Sequence, residues 1–208
     1  MPRSKLPMNP GLTDAGALIL AGGRSSRMGR DKVLLPFADG QTLLQRAIGF
    51  WRELCPLVLI AAGSPDHLPR DLAEELHGVQ LVYDAFPGCG PLAGLQAGLR
   101  ASDRELLFVG AVDLPYPSAK AAWLLYEAIG RSDAAVFCLH DRREPLFGLY
   151  RRTCLPEAET MLEAGEYKMG LLLDRVETIC LPAQEDRLFF NMNTPAEYVQ
   201  ALRDLDRE

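Results

Sequence analysis

The sequence lacks the features that mark zinc-binding, secreted or membrane-spanning proteins. It has only three histidines, far apart, and its five cysteines include no Cys-x-x-Cys pair, so neither a zinc site nor a disulfide framework is predicted. No apolar run approaches the roughly 20 residues that cross a bilayer, and the N-terminus lacks the apolar middle of a signal peptide. We therefore expect a cytoplasmic protein with no membrane partner, whose cysteines are mostly reduced.

The chain also has fewer basic residues, 22 Lys and Arg, than acidic ones, 28 Asp and Glu. The formal net charge at pH 7 is -6, whereas nucleic-acid binding is driven by clustered Lys and Arg that displace counterions. Apolar residues make up 48% of the 208 residues and charged residues 24%, which is the balance of a folded globular protein. The composition predicts one globular domain that does not have nucleic acid as its partner.

Short apolar runs alternate with helical patterns from residue 17 onwards. Strands are predicted at 17–21, 57–61, 79–83 and 106–112, and helices at 42–54, 68–76, 91–101 and 117–129. Strands that alternate with helices of this length imply a parallel sheet covered on both faces, because right-handed crossovers place the helices there. The pattern predicts a doubly wound, three-layer α/β/α fold of Rossmann-like type.

The two ends of the chain depart from this alternation. Residues 1–16 are rich in proline, glycine and polar residues, so we expect a flexible leader followed by a single domain over 17–208. In the last third, apolar runs at 134–139, 145–151 and 177–181 are separated by shorter spacers and precede a final helix at 195–205. We expect mixed, partly antiparallel strands in that region.

Candidate site residues are the polar ones that directly follow the strands, because ligands of open α/β sheets bind beyond the carboxyl ends of the strands. The first strand is followed by Gly22 and Gly23 and then by the cations Arg24, Arg27, Arg30 and Lys32. Glycines let backbone amides approach a phosphate, and clustered cations suit a triphosphate. The segment matches neither a Walker loop nor the Gly-x-Gly-x-x-Gly pattern. It predicts a triphosphate-binding loop of another class.

Three later positions carry acidic or amide oxygens at strand ends. Asp113 ends the most apolar strand and is the predicted ligand of Mg²⁺, with Mn²⁺ as an alternative. Asp84 follows the third strand, where it either accepts hydrogen bonds from the ring nitrogens of a base or simply caps a Gly/Pro turn. Asn191 and Asn193 alternate along an extended segment and share a face, so they are possible contacts for the metal or the acceptor.

Residues 20–32, Leu-Ala-Gly-Gly-x-Ser-x-Arg-Met-Gly-x-Asp-Lys, resemble the signature of the molybdenum cofactor guanylyltransferases, which belong to the nucleotidyltransferase superfamily. Residues 90–94, the Asp113 turn and the Asn-x-Asn-Thr-Pro run at 191–195 resemble the same family in the expected order, although Val112 stands where that family usually has cysteine. The resemblance implies that Arg27, Lys32 and Asp113 are catalytic. It also implies a set of nucleotide-binding residues: Leu20, Ala21, Gly22, Gly23, Lys32, Asp84 and Asp113.

The resemblance further implies a reaction. GMP is transferred from GTP to molybdopterin-bound molybdenum cofactor, pyrophosphate is released, and the enzyme makes transient contacts with proteins that deliver or receive the cofactor. A CTP-dependent molybdopterin cytidylyltransferase, another sugar- or isoprenoid-phosphate nucleotidyltransferase, and a nucleotide-binding regulator without turnover stay open as alternatives. Weaker candidates for binding the acceptor's phosphate are Arg142, Arg143, Arg151, Arg152 and Lys168.

Overall fold

The computed structural model describes residues 12–22, 32–37, 40–65, 68, 78–183 and 186–205. In this part of the chain the strands β1 to β7 are Ala15–Leu20, Leu57–Ala61, Gln80–Val82, Leu106–Ala111, Ala134–Leu139, Arg142–Arg151 and Thr178–Pro182. The helices α1 to α6 are Leu43–Leu54, Pro91–Ala101, Ala119–Ala128, Leu155–Glu163, Met169–Arg175 and Pro195–Leu205. Apart from Leu68, the helix predicted at 68–76 lies outside the described residues.

The strands form one seven-stranded sheet in the order β3-β2-β1-β4-β6-β5-β7. β1 pairs in parallel with both β2 and β4, and β2 pairs in parallel with β3. β6 runs antiparallel to its neighbours β4 and β5, whereas β7 is parallel to β5. The predicted mostly parallel sheet with mixed strands in the last third is confirmed, and β6 is the strand that reverses direction.

Apolar clusters cover both faces of the sheet. Successive strand residues point to opposite faces, so Ile19 packs in one cluster with α1, α3 and α6, while Leu18 packs in the other with α2, α4 and α5. All residues of β1 are buried, which explains why its sequence is a continuous apolar run rather than an alternating one. The predicted three layers are confirmed. No helix in the described part of the chain is long and apolar enough to cross a bilayer.

The start of the fold differs from the prediction. β1 begins at Ala15 instead of residue 17, and Leu12 is buried, with its amide donating a hydrogen bond to the carbonyl of Leu54 at 2.9 Å. The expected leader at 1–16 is therefore too long at its C-terminal end, and residues 1–11 lie outside the described residues. The prediction missed Leu12 because the surrounding residues are rich in proline, glycine and polar side chains. Its burial depends on helix α1, which is distant in sequence.

Helices α4 and α5, between β6 and β7, were not predicted from the sequence. They are short, nine and seven residues, and helices of that length depend on tertiary packing more than on intrinsic propensity. Met161 of α4 and Leu172 of α5 are fully buried in the same apolar cluster as α2. These helices complete the second helical layer. They are too short for a helical period to be recognised in their sequence.

A disulfide joins Cys138 of β5 to Cys180 of the neighbouring strand β7, with Cα atoms 5.8 Å apart. This pair was not predicted, because 42 residues of sequence separate two cysteines that lie on adjacent strands. Cys55, Cys89 and Cys154 are free, in line with the expectation that most cysteines are reduced, and Cys55 and Cys154 are buried. The bond fastens the edge strand β7 to the sheet.

Candidate functional site

The candidate site lies in a crevice beside β1, because successive strands are added on one side of β1 and then on the other. From β1 the chain continues outward to β2 and β3 on one side, and it then returns to β4 on the other side. The amide of Val112 donates to the carbonyl of Leu20 at 3.1 Å, and the amide of Ala21 donates to the carbonyl of Ala61 at 3.0 Å. These bonds extend the pairing past the strand ends, so Gly22 and Asp113 leave the sheet side by side at its switch point.

Gly22 lies against the backbone of Gly63, which follows β2. A Cβ at position 22 would be 3.3 Å from the amide nitrogen of Gly63, closer than side chains normally approach a backbone that cannot move aside. Gly63 has φ +74°, which favours glycine. Two glycine-containing backbone segments therefore meet at this edge of the sheet.

Asp84 leaves the end of β3 at the same edge. Its amide donates to the carbonyl of Gly63 at 3.0 Å, and the residue is half-buried. One carboxylate oxygen lies 4.0 Å from the place where a Cβ of Gly94 would stand on α2, and the other lies 3.9 Å from that of Gly63. Both distances are ordinary van der Waals contacts, so the carboxylate lies against the backbone of residues 63 and 94.

Helix α2 approaches the sheet closely at the same place. A Cβ at Gly94 would lie 2.8 Å from Cδ2 of Leu20 and 3.2 Å from Cβ of Ala61, a separation that only glycine allows. The Gly-Pro-Leu-Ala-Gly segment therefore has a packing role that its sequence alone did not reveal. The close approach brings Leu20, Ala61 and Asp84 around a single corner of the crevice.

Asp113 follows β4 and is half-buried. Its carbonyl accepts a hydrogen bond from the amide of Met192 at 3.2 Å, which draws the segment 191–193 to the switch point. The side-chain oxygen of Asn191 is buried and has no hydrogen-bond partner among the described residues, whereas Asn193 is exposed. The structure therefore brings Asp113 and the asparagine segment together, as the sequence predicted.

Helix α6 begins directly after this segment with a capping box. The hydroxyl of Thr194 accepts from the amide of Glu197 at 3.3 Å, and the carboxylate of Glu197 accepts from the amide of Thr194 at 2.8 Å. The same carboxylate accepts from the amide of Asn193 at 2.8 Å. The Thr194 hydroxyl thus caps α6, and Glu197 fixes Asn193 at the start of the helix. The amide of Asn193 also donates to the carbonyl of Asn191 at 3.2 Å, so the segment makes a tight turn instead of the expected extended run.

The basic loop is only partly described. Gly23 and Arg27 lie outside the described residues. The backbone of Lys32 begins a short 3-10 turn, Lys32–Leu34, but the Lys32 side chain is not described. Leu20, Ala21 and Gly22 lie at the switch point as predicted. The approach of Lys32 to Asp113 stays a prediction.

The weaker arginine candidates separate into two groups. Arg151 and Arg152 lie at the far end of β6, where they bind the carboxylate of Glu105 and the carbonyl of Ser102, so they are removed from the switch point. Arg142 and Arg143 lie at the near end, and Arg143 donates to the carbonyl of Gly170 at 3.2 Å. Next to them is Glu144, and burial raises the pKa of its carboxyl, opposed by the charge of Arg142.

Sequence reasoning missed Gly63. The residue follows β2 directly, so the strand-end argument that selected Gly22, Asp84 and Asp113 applied to it as well. The sequence feature that could have identified it is a single glycine two residues after the apolar run 57–61. Its role became visible only when the structure placed it between Gly22 and Asp84.

The described residues hold no cluster of three or more His, Cys, Asp or Glu side chains that could enclose a metal ion. A metal at the switch point would therefore depend on the Asp113 carboxylate, an amide oxygen such as that of Asn191, water and the substrate's phosphates. That is a donor set suited to Mg²⁺, which is usually held by one or two carboxylates with phosphates and waters.

Comparisons with known proteins identify the family of the chain. Residues 17–202 match the family model described as MobA-like NTP transferase domain. The chain is 32% identical over 193 residues to a probable molybdenum cofactor guanylyltransferase of Carboxydothermus hydrogenoformans, covering 89% of this chain and 93% of the relative. It is 33% identical over 192 residues to a protein of the same name from Mycobacterium tuberculosis, covering 90% and 92%.

Solved structures share the fold. Molybdopterin-guanine dinucleotide biosynthesis protein A of Archaeoglobus fulgidus superposes with a TM-score of 0.77 at 24% identity, covering 93% of this chain and all of that one (100%). The 2-C-methyl-D-erythritol 4-phosphate cytidylyltransferase of Thermus thermophilus has a TM-score of 0.68 at 18% identity, covering 92% and 98%. With a family match over most of the chain and relatives above 30% identity, the chain is a nucleotidyltransferase that belongs to the MobA-like NTP transferase family.

Proposed function

We propose that this enzyme transfers GMP from GTP to molybdopterin-bound molybdenum cofactor and releases pyrophosphate. The curated relatives carry the name of this activity at 32–33% identity over about nine-tenths of the chain. The observation that carries the proposal is the bond from the Val112 amide to the Leu20 carbonyl, since it places the ends of β1 and β4, which continue to Gly22 and Asp113, side by side at the switch point. We further infer that the described residues from 12 to 205 act as one domain, because both apolar clusters share a single sheet.

Asp84 would recognise the base. Guanine presents two adjacent donors, the ring N–H and the amino group, and one carboxylate can accept from both. Cytosine presents one donor next to a ring acceptor, which a carboxylate repels. The position of Asp84 at the carboxyl edge of the sheet, where ligands of such folds bind, supports a base lying beside it. This argument favours GTP over CTP.

The triphosphate would lie along the glycine-rich loop. The amides near Gly22 can approach its oxygens, while Arg27 and Lys32 offset their charge. Asp113 and the buried side-chain oxygen of Asn191 fit a magnesium or manganese ion, and these residues would hold it. A bound divalent ion supplies charge neutralisation on the phosphates.

The transfer itself needs no covalent enzyme intermediate. An oxygen of the acceptor's phosphate forms a bond to the α-phosphorus of GTP, and the bond from that phosphorus to the β-phosphate oxygen breaks, so pyrophosphate leaves with its electron pair. Catalysis of such a step comes mainly from positioning and from cations that stabilise the charge on the transferring group. Lys32 and Arg27 supply those cations, and the Asp84 pocket aligns the nucleotide.

The test is pyrophosphate release by the purified protein with molybdenum cofactor, Mg²⁺ and either GTP or CTP. We expect release with GTP and at least about ten-fold less with CTP, because the wrong base leaves buried polar groups unpaired. Protection from heat by each nucleotide at equal concentration gives the base preference without turnover. A preference for CTP favours the cytidylyltransferase alternative, and nucleotide binding without any release favours the regulator.

A further inference from the structure

A cavity of about 550 Å³ lies beside the switch point, outside the corner that holds Asp84. Its walls are one side of α1, the loop 112–118 that follows β4, and the 3-10 turn Asp186–Phe189. Val112 and Leu114, the neighbours of Asp113 in the chain, both line it, so the cavity lies close to Asp113. This volume falls in the range of small-molecule sites.

The α1 wall is built around an unusual glycine. Arg46, Gly49, Phe50 and Glu53 all line the cavity, and their spacing places them on one stripe of the helix. A Cβ at Gly49 would meet no described atom within 4 Å, whereas in α2 a Cβ at Gly98 would lie 2.6 Å from Leu18. Helix packing therefore explains Gly98 but not Gly49. A glycine inside a helix costs about 1 kcal/mol relative to alanine, so the open space beside Gly49 calls for another reason.

The lining combines flat apolar surfaces with guanidinium groups. The Arg187 guanidinium lies 4.0 Å from the ring centre of Tyr116, and the Arg46 guanidinium lies 5.4 Å from that of Phe37. The hydroxyl of Tyr116 donates to the carbonyl of Ala201 at 3.1 Å, which fixes the ring. Both cations are thus held in place by aromatic rings within a chain whose net charge is -6.

We propose that this cavity receives the acceptor of the transfer, a flat hydrogen-bonding heterocycle that carries a phosphate. The inference rests on the proposed function and adds the site of its second substrate. The heterocycle lies between Phe50 and Tyr116, the carboxylate of Glu53 accepts from its ring donors, and its phosphate points past Arg187 toward Asp113. The acceptor thus approaches from the α1 face, while GTP occupies the corner by Asp84.

The test fills the cavity without disturbing the fold. The probe is 6-hydroxymethylpterin monophosphate, whose intrinsic fluorescence reports equilibrium binding without turnover. Gly49→Phe places a ring in the open space, and Gly170→Phe is its matched control, since Gly170 of α5 also has no described atom within 4 Å of its Cβ and lies on the other face of the sheet. Thermal unfolding verifies that both variants are folded.

We expect the wild-type protein to bind the probe, Gly49→Phe to weaken binding at least about ten-fold, and Gly170→Phe to change it less than about two-fold, since a filled cavity excludes the ring. The affinity for GTP stays within about two-fold in both variants. The assignment is overturned when the wild type does not bind the probe, when Gly49→Phe binds it as well as the wild type does, or when Gly170→Phe weakens it equally. The two proposals can fail separately. If the wild type releases no pyrophosphate but binds the probe, and Gly49→Phe loses that binding, the assignment of the cavity is supported while the proposed function is not.

Discussion

The amide of Met192 donates a hydrogen bond to the carbonyl of Asp113, 3.2 Å away, across 79 positions of sequence. This bond joins the last loop before α6 to the carboxyl end of β4, and the Thr194–Glu197 capping box fixes the end of that loop at the start of the helix. Two segments that the sequence separates widely therefore form one surface at the switch point. The activity of the enzyme should depend on that surface, and its stability on the Cys138–Cys180 disulfide and the buried thiols of Cys55 and Cys154.

Loss of either charged group that we place in the transfer step should abolish turnover without unfolding the protein. Asp113→Ala and Lys32→Ala are each expected to lower kcat/KM by about 10²–10³-fold or more, because each removes charge stabilisation in the transition state. The matched control is Asp103→Ala, since Asp103 is an exposed carboxylate near the opposite end of β4. Steady-state pyrophosphate release and thermal unfolding measure both properties, and near-normal activity in either site variant contradicts the mechanism.

The two asparagines should differ in their effect on the metal. Asn191→Ala removes the buried side-chain oxygen and should raise the Mg²⁺ concentration for half-maximal activity by about 10-fold or more, as the loss of a group that supports a metal site does. Asn193→Ala, which changes an exposed side chain, should have a smaller effect. Titration of activity with Mg²⁺ and then Mn²⁺ separates them. Equal effects of the two variants would remove Asn191 from the metal site.

Asp84→Asn should reduce the discrimination between bases. The substitution keeps the size of the side chain but replaces one accepting oxygen with a donor, so binding of guanine should weaken by about 1.5–3 kcal/mol. Calorimetric titration with GTP and CTP measures the change. We expect the GTP affinity to fall more than the CTP affinity, while an unchanged GTP to CTP ratio contradicts the assignment of Asp84 to the base.

Reduction of the Cys138–Cys180 disulfide should destabilise the protein. The bond closes a chain segment with a sequence separation of 42 residues, and crosslinks of this kind contribute about 2–4 kcal/mol. Urea unfolding with and without dithiothreitol gives the difference directly. The double variant Cys138→Ser and Cys180→Ser should already have the lower stability and should not respond to the reductant.

Stability should fall at alkaline pH because of the buried thiols. Burial, with the Asp14 carboxylate nearby, raises the pKa of Cys55 to about 12, and burial with Asp133 raises the pKa of Cys154 to about 12 against the opposing effect of Arg151. The folded state keeps these thiols protonated while the unfolded state loses their protons above about pH 9, so stability is full below that pH and is lost as pH rises toward 12. Each thiol contributes up to about 1.4 kcal/mol per pH unit.

Urea unfolding at intervals from neutral pH upward tests this dependence. Cys55→Ala should be less stable at neutral pH because it leaves a small cavity, but its stability should decline less steeply above about pH 9. An unchanged slope in that variant would show that Cys55 does not contribute to the alkaline loss.

Local sequence was enough to predict most of the strands and four of the described helices. Apolar runs such as those of β1 and β4 are buried on both faces, so their composition alone identifies them. The strand-end argument selected Gly22, Asp84 and Asp113, the family resemblance added Leu20 and Ala21, and the structure places all five at the same edge of the sheet. Arg27 and Gly23 lie outside the described residues, so their roles stay predictions.

The sequence by itself determined the fold class and the order of the site motifs, because hydrophobic period and turn residues are local properties that each segment carries. Only the tertiary structure decided which of these segments meet. The Cys138–Cys180 bond, the contact of Gly63 with Gly22, the short helices α4 and α5, and the cavity beside Gly49 all depend on elements distant in sequence. Such pairings arise from packing the two layers onto one sheet, and no local pattern encodes them.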